Sequence, residues 1–517
     1  MLPQVEMIDS EKNNNGVNEK ESERENINDS SNDSNKEISQ NGFKVEDTLY
    51  QDTTINLSFF GLGASSFAIV TVPYHISIIL TIFLIVIIGV LNNLNYIILA
   101  DLYEKNEKNE ENKENKENKK KKKEHSIKNN KKNEENEKNK EKKENKGGKE
   151  NKINNYLPDL CKEIFSDSIS FILLIIINIY NICEIIIHQI LLYRTIGGII
   201  NIIGQYGYND TVSFFSGTSF GQAGMIFTIN FCISCLILYV LSLIINDKKI
   251  FLSSKIGFAI MLFIFFVIFF QFIFYFINYC LNNFNINELN IYPTRRIFTR
   301  QLKISQSFAI LSYCYWGNYG FFPKNEILKD KDLRNKSFRI SNILKGIVYL
   351  LFSCGIYLSV PDNVVDIAIE RKNYWAKDLN MTISRILLIP LCLSKIQINL
   401  YFLRDNIFSC IQKNDDNISI NKLRNFVFSF ITLSITTFFS SLYQNITGYI
   451  TLIGGFSASF LIYLFPPMMN YYCCKENYRK NLIKLLIGII CSCIGFIGGI
   501  CGLIDLIKGN YNFKVNI

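Results

Sequence analysis

The feature that most constrains this chain is the length of its apolar blocks. Runs rich in Ile, Leu and Phe recur along it, each about twenty residues long, the length of α-helix that crosses the hydrocarbon core of a bilayer. About eleven are present, near 55–74, 77–101, 167–190, 224–245, 254–277, 304–323, 343–360, 382–402, 425–443, 446–470 and 482–507. Charged residues fall almost entirely between them. The pattern predicts an all-α polytopic membrane protein.

Two polar tracts interrupt the pattern. Residues 1–50 are rich in Asn, Ser, Glu and Lys, and residues 104–155 are almost pure Lys, Asn and Glu, with five consecutive lysines at 119–123. Neither can bury enough apolar surface to offset chain entropy, so both are expected to be disordered. Glutamates alternate with the lysines and no aromatic residue is available to stack on a base, so no nucleic-acid partner is expected. The first fifty residues are too polar for a cleavable signal peptide, leaving targeting to the first span. The 14 cysteines are scattered, mostly inside spans, and the Cys232/Cys235 pair has no nearby histidine or second CxxC. They read as small buried hydrophobes, with no metal or cofactor implied.

Lysine and arginine set the orientation. With a cytosolic N-terminus, the inner loops hold the 104–155 tract, the cluster from Lys324 to Arg339, and Arg404, Lys413, Lys422, Arg424, Lys475, Arg479 and Lys480. The outer loops hold far fewer cations. The expected organisation is a cytosolic tail over 1–50, spans 1–2 over 51–103, a cytosolic insertion over 104–156, spans 3–11 over 157–507 and a short tail over 508–517.

Two spans are built to break. The first reads GLGASSFAIVTVPY over 61–74, and the sixth reads SFAILSYCYWGNYGFFPKNE over 307–326. Glycine and serine clusters weaken a helix locally. Freed backbone groups are tolerated in a bilayer only where protein or a polar cavity satisfies them, and transporters use such interruptions to hold substrates and ions. The two interrupted spans head two halves of five spans each, in opposite orientation. That is the arrangement of an inverted repeat.

These segments resemble the amino acid/auxin permease family, a branch of the LeuT-like transporters. NLSFFGLGASSFAIVTVPY resembles the family's small-residue cluster followed by Pro-Tyr, and ISQSFAILSYCYWGNYGFFPKNEI resembles its sixth helix. QINLYFLRDNIF, with Arg404, resembles the end of its eighth helix, and YITLIGGFSASFLIYLFPPMMNYY resembles its tenth. The resemblance covers roughly 50–507 without the insertion. It implies a LeuT-like 5+5 inverted repeat plus one extra helix, and secondary active transport of amino acids coupled to protons or sodium. One departure stands out: Gly63 lies ten residues before Pro73, and Ser66 and Ala68 occupy the nearer positions. The substrate-binding residues implied are Gly61, Gly63, Ala64, Ser65, Ser66 and Ala68 on the first span, Tyr180 on the third, and Ser312, Tyr313, Tyr315, Trp316 and Gly317 on the sixth. The aromatic residues predict a pocket tolerant of bulky apolar or aromatic side chains.

Ionisable groups within spans are functional candidates by default. Tyr180, Glu184 and His188 are spaced four apart and share one helix face. Glu184 is a candidate to carry a coupling proton and His188 to relay it; the alternative is a structural network in which they satisfy one another. Lys395 lies deep in the eighth span, more than two turns from Arg404. A lysine there supplies a cation's charge, which favours proton over sodium coupling. Thr382 and Ser384 offer hydroxyls for sodium but sit near the outer end of their span.

Other classes fit less well. Of three histidines only His188 lies within a span, and no HExxH, DxD or GxSxG motif sits at a membrane face, so an enzyme is not expected. No filter-like repeat suggests a channel. An amino-acid sensor signalling through its N-terminal tail, or a carrier of another small organic solute, remains the alternative. The expected partners are an amino acid and membrane lipid, in a monomer. The expected location is the plasma membrane or an acidic digestive or lysosome-like vacuole.

Overall fold

Unbroken apolar runs without period-two alternation fold as helices here, and every element among the described residues is helical. The computed structural model describes residues 54–55, 58, 62, 66, 69, 71–132, 156–207, 232, 236, 247–282, 301–316, 331–355, 379–411, 418–442, 445–473 and 478–508. In chain order the helices are α1 (Thr71–Ile76), α2 (Ile78–Lys132), α3 (Tyr156–Ile164), α4 (Asp167–Gly207), α5 (Asp247–Asn282), α6 (Gln301–Trp316) and α7 (Lys331–Leu350). They continue with α8 (Leu379–Ile411), α9 (Ile418–Leu442), α10 (Ile446–Ile453), α11 (Phe465–Cys473) and α12 (Tyr478–Lys508). Wider π turns extend α7 over Leu351–Gly355 and link α10 to α11 over Gly454–Ala458 and Phe460–Leu464.

Among the described residues seven helical stretches are long and apolar enough to cross a membrane: Ile78–Lys105, Asp167–Ile196, Lys331–Gly355, Thr382–Phe408, Leu423–Ser441, Ile446–Cys473 and Tyr478–Leu506. They correspond to the expected second, third, seventh, eighth, ninth, tenth and eleventh spans. The fifth appears as the shorter apolar stretch Lys255–Phe270. The first and fourth fall mostly outside the described residues, and the sixth is described only to Trp316. The tails over 1–50 and 509–517 also lie outside them.

One expectation needs correction. The disorder anticipated from residue 104 does not begin there, because α2 runs on unbroken to Lys132. Lysine and glutamate are good helix formers, and the stretch inherits a nucleated helix from the apolar span, so it need not meet the cost of starting one. Lys108 pairs with Glu104 one turn back at 2.7 Å. Residues 133–155 lie outside the described residues, and 156–164 form α3.

The segment from α10 to α11 is the central strut. Its most apolar window is 78% buried, against 28–50% for the other six spans. Around it, α6 packs on α12 and on the first π turn, α4 lies along α8, and α7 lies on α2. The outer faces stay apolar: Ile79, Phe83, Val86, Val90 and Leu94 on α2 and Ile483, Leu486, Ile490 and Ile497 on α12 are exposed. Faces this greasy suit lipid.

At one end of the bundle Asp101 pairs with Lys331 at 2.8 Å and Glu104 with Arg334 at 3.2 Å. Lys105 donates to the Cys473 carbonyl at 3.3 Å, and the Phe165 and Tyr472 rings meet edge to face at 5.0 Å. The membrane-proximal ends of α2, α4, α7 and α11 therefore gather on one face. These are the ends that the lysine and arginine distribution assigns to a common side.

Candidate functional site

The site grows from the spacing on α4. Tyr180, Glu184 and His188 do share a face, and they bond to one another. The Tyr180 hydroxyl donates to Glu184 Oε1 at 2.6 Å. His188 Nδ1 lies 3.1 Å from Glu184 Oε2 and 2.8 Å from the Glu184 backbone oxygen. Both neighbours are acceptors, so Nδ1 carries the hydrogen. The His188 side chain is 2% exposed and that of Glu184 12%, so the carboxylate is the more accessible of the two.

The free end of Tyr180 leads to α6. Its ring lies 5.8 Å from that of Tyr313 and 5.5 Å, edge to face, from that of Trp316. Such pairs add about 0.5–1.5 kcal/mol beyond their burial. Across α4, Lys395 is buried on α8 and its charge acts on Glu184. Pro390 within α8 removes one backbone donor five residues before it. Carboxylate, phenol and imidazole thus bond to one another inside the bundle, next to an aromatic wall, with the Lys395 charge acting on the carboxylate.

The other residues of α6 face elsewhere. Ser312 donates to the Phe308 carbonyl at 2.7 Å and lies 3.3 Å from the Tyr463 hydroxyl on the central strut. Tyr315 sits two residues after Tyr313, about 200° around the helix, and points away from Tyr180. Its hydroxyl donates to the Ile85 carbonyl on α2 at 3.3 Å, and its ring edge meets Tyr349 of α7 at 5.3 Å. Ser66 is fully buried, and its hydroxyl has no partner among the described residues. Gly61, Gly63, Ala64, Ser65, Ala68 and Gly317 lie outside the described residues.

Three contributors are invisible to motif reading. The last carbonyls of a helix lack partners within it, and at the described end of α6 two neighbours supply them. Tyr349 donates to the Cys314 carbonyl at 2.5 Å, and Asn92 Nδ2 reaches the Tyr315 carbonyl at 3.5 Å. Side chains from two neighbouring helices, α7 and α2, thus hold the end of α6. The third contributor is Gly454, where an added Cβ would stand 1.9 Å from the Ala309 carbonyl oxygen. Only glycine lets the strut approach α6 so closely.

The family described as transmembrane amino acid transporter protein matches residues 74–508. No individual curated protein matches the chain.

Proposed function

Because the chain belongs to the transmembrane amino acid transporter protein family, we propose that it is a secondary active transporter that moves amino acids by alternating access, coupled to protons. The observation that carries this reading is the Tyr180–Glu184 hydrogen bond. A carboxylate within a span is costly and is functional by default. Here it is joined through one side chain to the aromatic wall, since Tyr180 both donates to Glu184 and packs on Tyr313 and Trp316. Protonating Glu184 weakens the acceptor that fixes the Tyr180 hydroxyl. The wall facing the substrate then responds to the proton, which is what coupling requires.

The substrate's carboxylate is assigned to the first span, as the resemblance implies, beside the buried Ser66 hydroxyl, which is unpartnered among the described residues. Its side chain lies against Tyr180, Tyr313 and Trp316, which favours bulky apolar or aromatic amino acids. Lys395 adds a basic group whose charge acts on Glu184, in keeping with transport that does not need sodium.

The test is uptake of a radiolabelled amino-acid mixture into proteoliposomes, with an imposed pH gradient and no sodium. Accumulation is expected, abolished by a protonophore and absent in Glu184→Gln. Accumulation that survives the protonophore, or a Glu184→Gln variant driven as well as the parent, refutes proton coupling through this group.

A further inference from the structure

The inward face of α7 carries three buried donors with no acceptor among the described residues. Ser341, Asn342 and Lys345 are 1%, 6% and 0% exposed. Ser341 Oγ, Asn342 Nδ2 and Lys345 Nζ have no hydrogen-bond partner among the described residues. Lys345 follows Ser341 by four residues and Asn342 by three, so all three project from one side of the helix. Asn342 accepts from Asn92 Nδ2 through its Oδ1 at 3.0 Å, which leaves its own amide hydrogens available.

The electrostatics point the same way. The charge acting on Lys345 among the described residues is that of Lys395, a second cation. A buried ammonium without a counter-charge costs several kcal/mol, and each unsatisfied buried donor adds about 1–3 kcal/mol. Three donors on one helix face, a basic side chain and no negatively charged partner among the described residues make a set that an anion completes. The surroundings keep it small: the Tyr315 hydroxyl closes on the helix at Gly346, where an added Cβ would meet it at 3.2 Å. Tyr349 fills the next turn, with its ring against Tyr315.

We propose that Ser341, Asn342 and Lys345 form an anion site on α7, facing α2 and α6, that takes one small monovalent anion, a halide or a carboxylate group. It lies on the Tyr315 side of α6 and adjoins the Glu184 cluster through Lys395, whose charge acts on both Lys345 and Glu184. Three donor groups orient the anion, and it provides a negative charge beside Lys345, for which no hydrogen-bond partner is present among the described residues. The proposal concerns binding and does not depend on which ion drives transport.

The test is thermal unfolding of the full chain in detergent, at constant ionic strength, in sodium gluconate, chloride or acetate. A separate arm adds glutamate or glutamine to the gluconate buffer. Chloride or acetate is expected to raise Tm saturably above gluconate, which is too large for the site. Lys345→Met should abolish that rise, and Ser341→Ala should weaken the half-saturating concentration about tenfold through one lost hydrogen bond. A rise with glutamate alone, absent with glutamine and in Lys345→Met, identifies the anion as a substrate's side-chain carboxylate. The proposal is overturned if none of these anions raises Tm. It is equally overturned if the rise persists unchanged in Lys345→Met, or, should that variant not fold, in Ser341→Ala. A chain that binds the anion but carries no amino acid would sink the transport reading and leave this one standing.

Discussion

Gly454→Ala tests how α6 is seated. The added Cβ would stand 1.9 Å from the Ala309 carbonyl oxygen, 2.7 Å from its carbon and 3.1 Å from Tyr313 Cβ. Real Cβ contacts do not fall below 3.0 Å, so the π turn and α6 must separate by about 1 Å. Both sides of the contact are helix backbone, and no side chain can swing aside to relieve it. Overpacking of this kind costs about 1–3 kcal/mol. Retreat is also resisted behind α6, because a Cβ on Gly498 of α12 would lie 2.2 Å from the Ser305 carbonyl, so a second close contact seats the same helix.

The shift reaches the site directly. Ala309 is one turn before Tyr313, whose ring, with that of Trp316, sets the position of Tyr180. A displacement of about 1 Å in a positioning element costs up to about a hundredfold in function. Gly454→Ala is therefore expected to lower Tm in detergent and to raise the half-saturating substrate concentration in proteoliposomes about tenfold or more. Gly346→Ala is the control, because its Cβ meets only the end of the Tyr315 side chain, at 3.2 Å, and its effects should be much smaller. Parental Tm and affinity in Gly454→Ala would refute the seating argument.

Three further outcomes follow from local geometry. Tyr349→Phe strips the Cys314 carbonyl of its donor and should destabilise the protein by about 1–3 kcal/mol, read as a lower Tm, with less effect if water enters. Ser77 holds φ 91° between α1 and α2, a left-handed conformation costing a side-chain-bearing residue about 1–2 kcal/mol. Ser77→Gly should thus raise Tm or leave it unchanged, while Ser77→Val should lower it. Cysteines placed singly at 105 and 331 should react with an impermeant maleimide from the same side of the membrane, because Lys331 pairs with Asp101 and Lys105 reaches Cys473 at one face; labelling from opposite sides would break the described topology.

Reading along the chain worked where the relevant spacing lies within one helix. Tyr180, Glu184 and His188 recur every four residues, and helix geometry alone brings them together. The apolar blocks were legible for the same reason, since span length is a one-dimensional property. Contacts between helices were not legible. Nothing in the local sequence VLNNLNY marks Asn92 as the donor for a carbonyl 223 residues away. Tyr313 and Tyr315 look alike in sequence, yet two residues of α-helix turn them to opposite neighbours. The helix beyond 104 was misjudged because polar composition describes what a segment can bury, not what a neighbouring span can nucleate.

Lys345 shows how a decisive residue stays hidden in plain sequence. It follows Lys331, Arg334, Lys336 and Arg339, a run of cations that reads as the border of a membrane span. Lys331 pairs with Asp101 at the face of the bundle. Arg339, the last cation of that run, lies six residues before Lys345, about 9 Å back along the axis. A lysine side chain can snorkel over such a distance, yet that of Lys345 is turned inward and 0% exposed. Gly355, at the far end of the same helix, is ten residues on, about 15 Å beyond. Lys345 therefore lies inside the protein rather than at a surface, and the anion proposed for its helix face would meet its charge there.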